Sequence, residues 1–168
     1  MATNATGQIA ADVIERPTGP LGLSAVHARS GLARQVNIPQ TSICCNLEVS
    51  ALRFPDKTAI QFFGTAVTYA ELLRDVEHMA GYLQRVCGVK RGDRVIVFSQ
   101  NCPQFITAYF AILRADAVFV PVNAMLLQGE LQHIVSDSGA TAAFVAQELV
   151  AQIAPLVGKA ALDRKSVV

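Results

Sequence analysis

Cys102 is the position of the sequence with the clearest potential for covalent chemistry. It follows an apolar run that predicts a strand and precedes a run that predicts a helix. The aligned N–H groups at a helix N terminus lower the pKa of a thiol and favour the nucleophilic thiolate. A cysteine hydrolase would pair that thiolate with a histidine base. The sequence places none of His27, His78 and His133 next to a strand end, so a packed or capping role for Cys102 is the favoured interpretation.

Other motifs that carry chemistry in α/β proteins do not occur in the sequence. No predicted strand is followed by G-x-G-x-x-G, and neither G-x-x-x-x-G-K-[ST] nor G-x-S-x-G is found. The four cysteines form no C-x-x-C pair and have no nearby histidine to complete a zinc site. Free thiols and the lack of a recognisable secretory segment predict a cytoplasmic location, with peripheral membrane attachment left open.

The composition is apolar, with 52% hydrophobic residues, 16% charged residues and a formal net charge of +1. Soluble domains carry about 25% charged residues, so this chain either spans a membrane or buries its elements on both faces. The most apolar stretch, 105–122, contains Arg114 and Asp116, and such charges are costly inside a bilayer. Since there is also no basic run, the sequence predicts neither a membrane span nor a nucleic-acid interface.

The elements that would position Cys102 follow a loosely ordered lead-in, residues 1–41, for which a transit peptide is the less favoured alternative. Periodicity, capping patterns and turn residues then predict alternating helices and strands. The predicted elements are a helix at 42–53, a hairpin with strands 58–63 and 66–68 turning at Gly64-Thr65, a helix from Thr68 to Gly88, a strand at 95–98, a helix from the N-cap Asn101 to 113, a strand at 117–122, a helix at 127–137, a strand at 141–146 and a helix at 147–156.

The last three predicted strands are apolar at every position rather than at alternate ones. This pattern is typical of a parallel sheet that is covered on both faces. The predicted fold class is therefore α/β, a parallel sheet with flanking helices, preceded by a helix and a short β-hairpin.

Eight short pieces of the sequence occur in the order and spacing of one enzyme family, although none is specific by itself. They are FPDKTA (54–59), TYAEL (68–72), GVKRGDRV (88–95), NCPQF (101–105), AILR (111–114), VPVN (120–123), EL (130–131) and DSGA (137–140). Together they cover about residues 52–146 and resemble the amino-terminal part of the adenylate-forming enzymes, the AMP-dependent acyl-CoA synthetases and ligases. Departures from the family pattern are Asp116 for glycine, Ala124 for proline and Cys102 for serine or threonine. The pattern is most similar to the fatty-acid–CoA ligases.

The resemblance implies a two-step reaction in which a carboxylate and ATP give an acyl-adenylate, and the CoA thiol then displaces AMP. ATP, Mg²⁺ and CoA are implied for the whole enzyme, with a carrier protein as an alternative acceptor. In the family the phosphate loop, the nucleotide-binding segments and the catalytic lysine lie downstream, so no catalytic, metal or cofactor-binding residue is carried over to this chain. The loop of Asn123, Ala124 and Met125 is a weak candidate for a wall of the CoA or acyl channel, and a plain connection is the favoured alternative.

The resemblance divides the chain into the lead-in, a partial AMP-binding-type domain at 42–162 and a tail at 163–168. The tail is hypothesised to be non-native, because its six residues match the translation of a common sequencing adapter, and a natural basic tail or a chosen chain end is the alternative. We expect an inactive scaffold with an unpaired sheet edge at the third strand and uncovered apolar faces, and hence a tendency to aggregate. The alternatives are a stand-alone interaction module and a hydrolase that uses Cys102, and a homodimer is left open.

Overall fold

The computed structural model describes residues 41–158. The predicted lead-in up to residue 40, His27 and the predicted tail at 163–168 lie outside the described residues. None of the helices in the described part is long and apolar enough to cross a membrane. The elements are α1 (Ile43–Arg53), β1 (Thr58–Phe62), β2 (Thr65–Thr68), α2 (Tyr69–Arg85), β3 (Arg94–Phe98), α3 (Pro103–Arg114), β4 (Val118–Val122), α4 (Gln128–Ser138), β5 (Ala142–Val145) and α5 (Val150–Ile153), with 3-10 turns at Gln147–Leu149 and Ala154–Leu156.

The hairpin turns one residue earlier than predicted. β1 pairs antiparallel with β2, and Phe62 lies opposite Thr65, so the turn residues are Phe63 and Gly64. Both have positive φ, 43° and 84°, as the two-residue turns that match the strand twist require. The prediction of a turn at Gly64-Thr65 is wrong by one residue, because phenylalanine is an unusual occupant of a left-handed position.

The start of α2 is fixed by a reciprocal pair of side chains, as the sequence predicts. The Glu71 N–H donates to Thr68 Oγ1 at 3.2 Å. Glu71 Oε2 accepts from the Thr68 N–H and from its hydroxyl, both at 2.9 Å. This capping box supplies partners for N–H groups that the first turn of a helix otherwise leaves unpaired.

We expect Glu71→Gln to lower stability at neutral pH and to have little effect in acid. The hydrogen bonds from the Thr68 N–H and hydroxyl hold the pKa of Glu71 below its ordinary value of 4.5. A carboxyl with a lowered folded-state pKa stabilises the fold above its ordinary pKa, and this contribution is lost as the pH falls through the lowered value. Urea midpoints of the two proteins should therefore begin to converge below about pH 4.5 and should meet only below the lowered pKa of Glu71. The exposed Glu148 gives a matched control, Glu148→Gln, whose urea midpoint should differ little from that of the original chain at any pH. If the difference in midpoint between Glu71→Gln and the original chain is the same at every pH, the prediction is wrong.

After the C-terminal end of α2, the chain reverses at a glycine that lies beyond the last helical turn. The helix ends at Arg85, three residues before the Gly88 at which the sequence predicts the end. Gly88 has a φ of 70°, and this left-handed conformation turns the chain back. The Val89 N–H then donates to the Leu83 carbonyl at 2.9 Å.

In the three-stranded parallel sheet, β3 lies between the two strands that follow it in the chain. The spatial order is β4-β3-β5. Backbone groups at the start of β3 face the two neighbours alternately, as the pleat requires. The Asp93 carbonyl accepts from the Val118 N–H of β4 at 2.8 Å, and the Arg94 carbonyl accepts from the Thr141 N–H beside β5 at 2.9 Å.

Two apolar clusters cover the two faces of this sheet. Successive side chains of β3 point to opposite faces, so Val95 and Val97 belong to the first cluster and Ile96 and Phe98 to the second. All four are buried, which confirms the prediction of an α/β sheet covered on both sides. Helix residues that complete the first cluster include Leu72, Val76, Leu83, Ala111 and Ile112. Those that complete the second include Leu131, Val135, Leu149 and Ile153.

Strands β4 and β5 are the two edge strands of the described sheet, so the unpaired edge expected at the third strand, β5, is present among residues 41–158. The more exposed of the two strands is β4. All four residues of β5 are buried, whereas Val118 and Pro121 of β4 are exposed. Helix α4 and the segment 147–156 contribute to the cluster on the second face. The expectation of uncovered apolar faces is therefore wrong for β3 and β5.

Two helix boundaries also differ from the predictions. Helix α3 begins at Pro103 with Cys102 as its N-cap, so the prediction of Asn101 as the N-cap is wrong. The helix predicted at 147–156 is divided into a 3-10 turn, the short α5 and a second 3-10 turn. Pro155 lies in the last of these turns and has no N–H with which to continue a helical ladder.

Asp116 connects α3 to β4 in a conformation that usually suits glycine. Its φ is 57°, and the left-handed region costs most L-residues about 1–2 kcal/mol, with aspartate among the few that visit it. Its carbonyl accepts from the Gly92 N–H at 2.8 Å, and its own N–H donates to the Leu113 carbonyl at 3.1 Å. These two bonds hold the turn that the family pattern assigns to glycine.

Candidate functional site

The candidate site lies at the carboxyl ends of the three parallel strands. After β3 the chain turns to α3 on the first face, and after β4 and β5 it turns to α4 and α5 on the second face. In open α/β sheets, ligands bind in the crevice between connections that leave towards opposite faces. The loops at this edge are 99–102, 123–127 and 146–149.

The loop after β4 is shaped by the side chain of Asn123. Its Oδ1 accepts from the Met125 N–H at 3.0 Å, and its carbonyl accepts from the Leu126 N–H at 3.1 Å. Ala124 packs against the apolar cluster of the second face. Of the three predicted candidates, the structure thus gives Asn123 and Ala124 local roles in the loop.

Met125 is the candidate that is directed away from the fold. Its relative exposure is 84%, and Leu127 in the same loop is 74% exposed. Glu130 Oε2 accepts from the Leu127 N–H at 3.0 Å and so fixes the start of α4 beside these residues. Because hydrogen bonds hold the loop in place, these two exposed apolar side chains offer a surface for an apolar ligand or another protein segment.

Sequence reasoning missed Leu127 as part of this surface, because leucine before a helix is usually a core residue. The sequence signal that could have identified Leu127 is its position two residues after Met125, in the loop that follows the edge strand β4.

The loop after β3 places Cys102 beside a serine. Cys102 is the half-buried N-cap of α3, yet its side chain makes no capping hydrogen bond. Its Sγ lies 3.7 Å from Ser99 Oγ, and the Ser99 hydroxyl donates to the Gln100 carbonyl at 3.0 Å. The Ser99–Cys102 contact could not be predicted from the sequence, because it depends on how the loop folds back on itself.

The geometry around Cys102 gives a hydrolase no base among the described residues. Its side-chain partner is Ser99, and His78 and His133 are both exposed on helices. No hydrogen bond in the described part joins either histidine to the thiol. His27 lies outside the described residues.

Two other thiols are made less reactive by their surroundings. Burial, followed by the nearby charge of Glu48, raises the pKa of Cys44, whose Sγ also contacts the Phe110 carbonyl at 3.5 Å. Burial likewise raises the pKa of Cys87. Because the thiolate is the reactive form, these two cysteines have structural rather than catalytic surroundings.

The described residues do not fit the phosphate or metal groups of a nucleotide site. No group of three or more His, Cys, Asp or Glu residues between positions 41 and 158 could hold a metal ion. The full sequence contains no glycine-rich phosphate loop with a lysine. Neither Mg²⁺ nor the phosphates of ATP can therefore be assigned to residues at this edge.

Comparison with known proteins relates this sheet to one family. The family described as AMP-binding enzyme matches residues 47–168. A long-chain-fatty-acid–CoA ligase of Bacillus subtilis is 36% identical over 108 residues, which are 64% of this chain and 19% of the relative. A feruloyl-CoA synthase of an Amycolatopsis species is 47% identical over 87 residues, 52% of this chain and 18% of the relative.

Solved structures of related enzymes contain the same fold. A long-chain-fatty-acid-CoA ligase of Archaeoglobus fulgidus superposes with a TM-score of 0.71 at 27% identity, over 80% of this chain and 28% of that chain. The N-terminal subdomain of NpsA from Klebsiella oxytoca superposes with a TM-score of 0.59 at 26% identity, over 63% of this chain and 28% of that chain.

The chain spans about a fifth of the length of the curated relatives that it matches, between 18% and 21%. The family match nevertheless extends over most of the chain. It includes all of the parallel sheet and its two apolar clusters, and the superposed structures share the fold. The chain therefore belongs to the AMP-binding enzyme family, the adenylate-forming acyl-CoA ligases.

Proposed function

We propose that this chain supplies the sheet scaffold of an ATP-dependent ligase that activates a fatty acid as acyl-AMP and transfers the acyl group to CoA. The observation that carries the proposal is the family match over the doubly covered sheet. The substrate class rests on the names of relatives that match over 108 to 116 residues, which are long-chain-fatty-acid–CoA ligases. The feruloyl-CoA synthases match at higher identity over a shorter stretch, so an aromatic acid is the second candidate.

In this proposal the chain acts through the positions of its loops and not through a catalytic residue. The central strand β3, which is buried from Val95 to Phe98, fixes the start of the loop at 99–102. The paired β4 fixes the start of the loop at 123–127, where Met125 and Leu127 are exposed. We infer that these two side chains form an apolar wall beside the CoA or acyl channel. By itself the chain would bind neither ATP, Mg²⁺ nor CoA productively and would be inactive.

A chimera tests the scaffold proposal. The segment of the Bacillus subtilis ligase that aligns with this chain would be replaced by residues 47–158, and acid-dependent exchange of pyrophosphate into ATP would be measured with palmitate and ferulate. We expect the chimera to retain activity and the 168-residue chain to show none. A folded but inactive chimera, or exchange catalysed by the isolated chain, would contradict the proposal.

Matched valines on neighbouring strands provide the control. Val97→Asp places a charge in the buried first cluster, and an unpaired buried charge is strongly unfavourable, so this chimera should lose activity with its fold. Val118→Asp changes an exposed valine and should leave activity intact.

The channel-wall inference has its own test in the loop after β4. In the chimera, Met125→Ser should raise the KM for CoA or palmitate several-fold with kcat little changed. An unchanged KM would contradict the channel-wall inference but would not affect the scaffold proposal.

A further inference from the structure

The outer edge of β4 carries a proline at a position where a neighbouring strand would need a donor. The Val118 N–H donates to the Asp93 carbonyl beside β3 at 2.8 Å. Since backbone groups alternate in direction along a strand, the N–H of Val120 also faces β3. The backbone nitrogens of Phe119 and Pro121 therefore face the opposite way, towards the outer edge.

Pro121 changes the chemistry of that edge in two ways. It has no N–H, so an incoming strand finds the Phe119 N–H as a donor but nothing at the next outward position. Its ring also places a methylene group in the direction in which the missing N–H would point. A proline whose nitrogen faces away from the sheet is compatible with an edge strand and not with an interior one.

The strand β4 is held by its other contacts, while no strand between residues 41 and 158 pairs with its outer edge. The Phe119 ring contacts Phe105 and Tyr109 edge-on, with centroids 5.7 Å and 4.9 Å apart. All five residues of the strand are in register with β3. Val118 is 46% exposed and Pro121 is exposed. An ordered, exposed strand with apolar side chains is the usual template for unwanted strand pairing.

We propose that Pro121 closes the β4 edge to strand addition, so that a second copy of the chain cannot hydrogen-bond along it. The proline acts as a built-in block against edge-to-edge association in a strand whose other features favour it. The proposal does not depend on the ligase activity, because it concerns the backbone of the edge and not the loops of the candidate site.

Substitution of the proline provides the first test. Pro121→Val restores the N–H and introduces a side chain with high strand propensity. We expect the self-association constant of the 168-residue chain, measured by sedimentation, to rise about tenfold, the equivalent of ~1.4 kcal/mol or roughly one net hydrogen bond. The exposed Pro155, which lies outside the sheet, gives the matched control Pro155→Val, which should leave the constant unchanged. Val118→Lys added to Pro121→Val should return it to the original value, because an edge lysine opposes pairing.

Hydrogen exchange of the unmodified chain gives a test that does not depend on a variant folding. The outward Phe119 amide should exchange faster than the inward Val118 and Val120 amides, and its rate should not change as protein concentration is raised. A folded Pro121→Val that associates no more strongly than the original chain would overturn the proposal. Protection of the Phe119 amide that grows with concentration would also overturn it, since the edge would then accept a partner despite the proline.

Discussion

Replacement of Phe98 by alanine is expected to remove a large part of the stability of the chain. Phe98 is fully buried in the middle strand and belongs to the cluster on the second face. Deleting a buried phenylalanine ring costs about 3–5 kcal/mol, because transfer energy is lost and the cavity closes only in part. Whole domains are stable by about 5–15 kcal/mol, so urea titration followed by circular dichroism should show a large fall in the midpoint or no folded baseline.

The hairpin offers a matched control for this change. Phe63 is 94% exposed at the turn between β1 and β2, and surface substitutions usually change stability by less than about 0.5 kcal/mol. We therefore expect Phe63→Ala to unfold at nearly the urea concentration of the original chain. Equal losses from Phe98→Ala and Phe63→Ala would mean that Phe98 is not packed in the core as described.

The second large effect is expected from Leu131→Ala in helix α4. Leu131 is fully buried in the second-face cluster, and leucine-to-alanine changes in cores cost about 2–5 kcal/mol. Leu127, four residues earlier at the start of the same helix, is 74% exposed, so Leu127→Ala should have little effect. Thermal unfolding of the two variants separates the predictions, and a Leu127→Ala that is as unstable as Leu131→Ala would show that α4 buries a different face.

The sequence predicted the buried strands well because their physical signature is local. The run Val95–Phe98 is apolar at every position, and a strand with that pattern must be covered on both faces. The start of α2 was equally predictable, since the capping box is contained within four residues, from Thr68 to Glu71. Both features depend on neighbours in the chain and not on contacts formed by folding.

Features that depend on distant contacts or rare conformations were not predictable in the same way. The order β4-β3-β5 is set by how α4 carries the chain across the sheet, which no local pattern encodes. The hairpin turn was misplaced because Phe63 adopts a positive φ, which residue preferences alone disfavour. The burial of all four residues of β5 also differs from the uncovered apolar faces that the sequence predicted.

The candidate site was predicted only at the level of loops. Parallel strands bring their carboxyl ends to one edge, so Asn123–Met125 could be assigned there from the strand pattern. The Asn123 bond to the Met125 N–H and the contact between Ser99 and Cys102 depend on loop conformation. The choice of Cys102 over Asn101 as the N-cap likewise depends on the exact path of the chain before Pro103.

The central position of β3 also has a consequence for synthesis on the ribosome. β3 is made before both of its neighbours, and α3 and β4 then follow directly in the chain. Covering the other face requires α4, β5 and the segment around α5, which are translated on the order of seconds later. During that interval Ile96 and Phe98 have no partners from these later elements, so the nascent chain presents an apolar surface that we expect a ribosome-associated chaperone to bind.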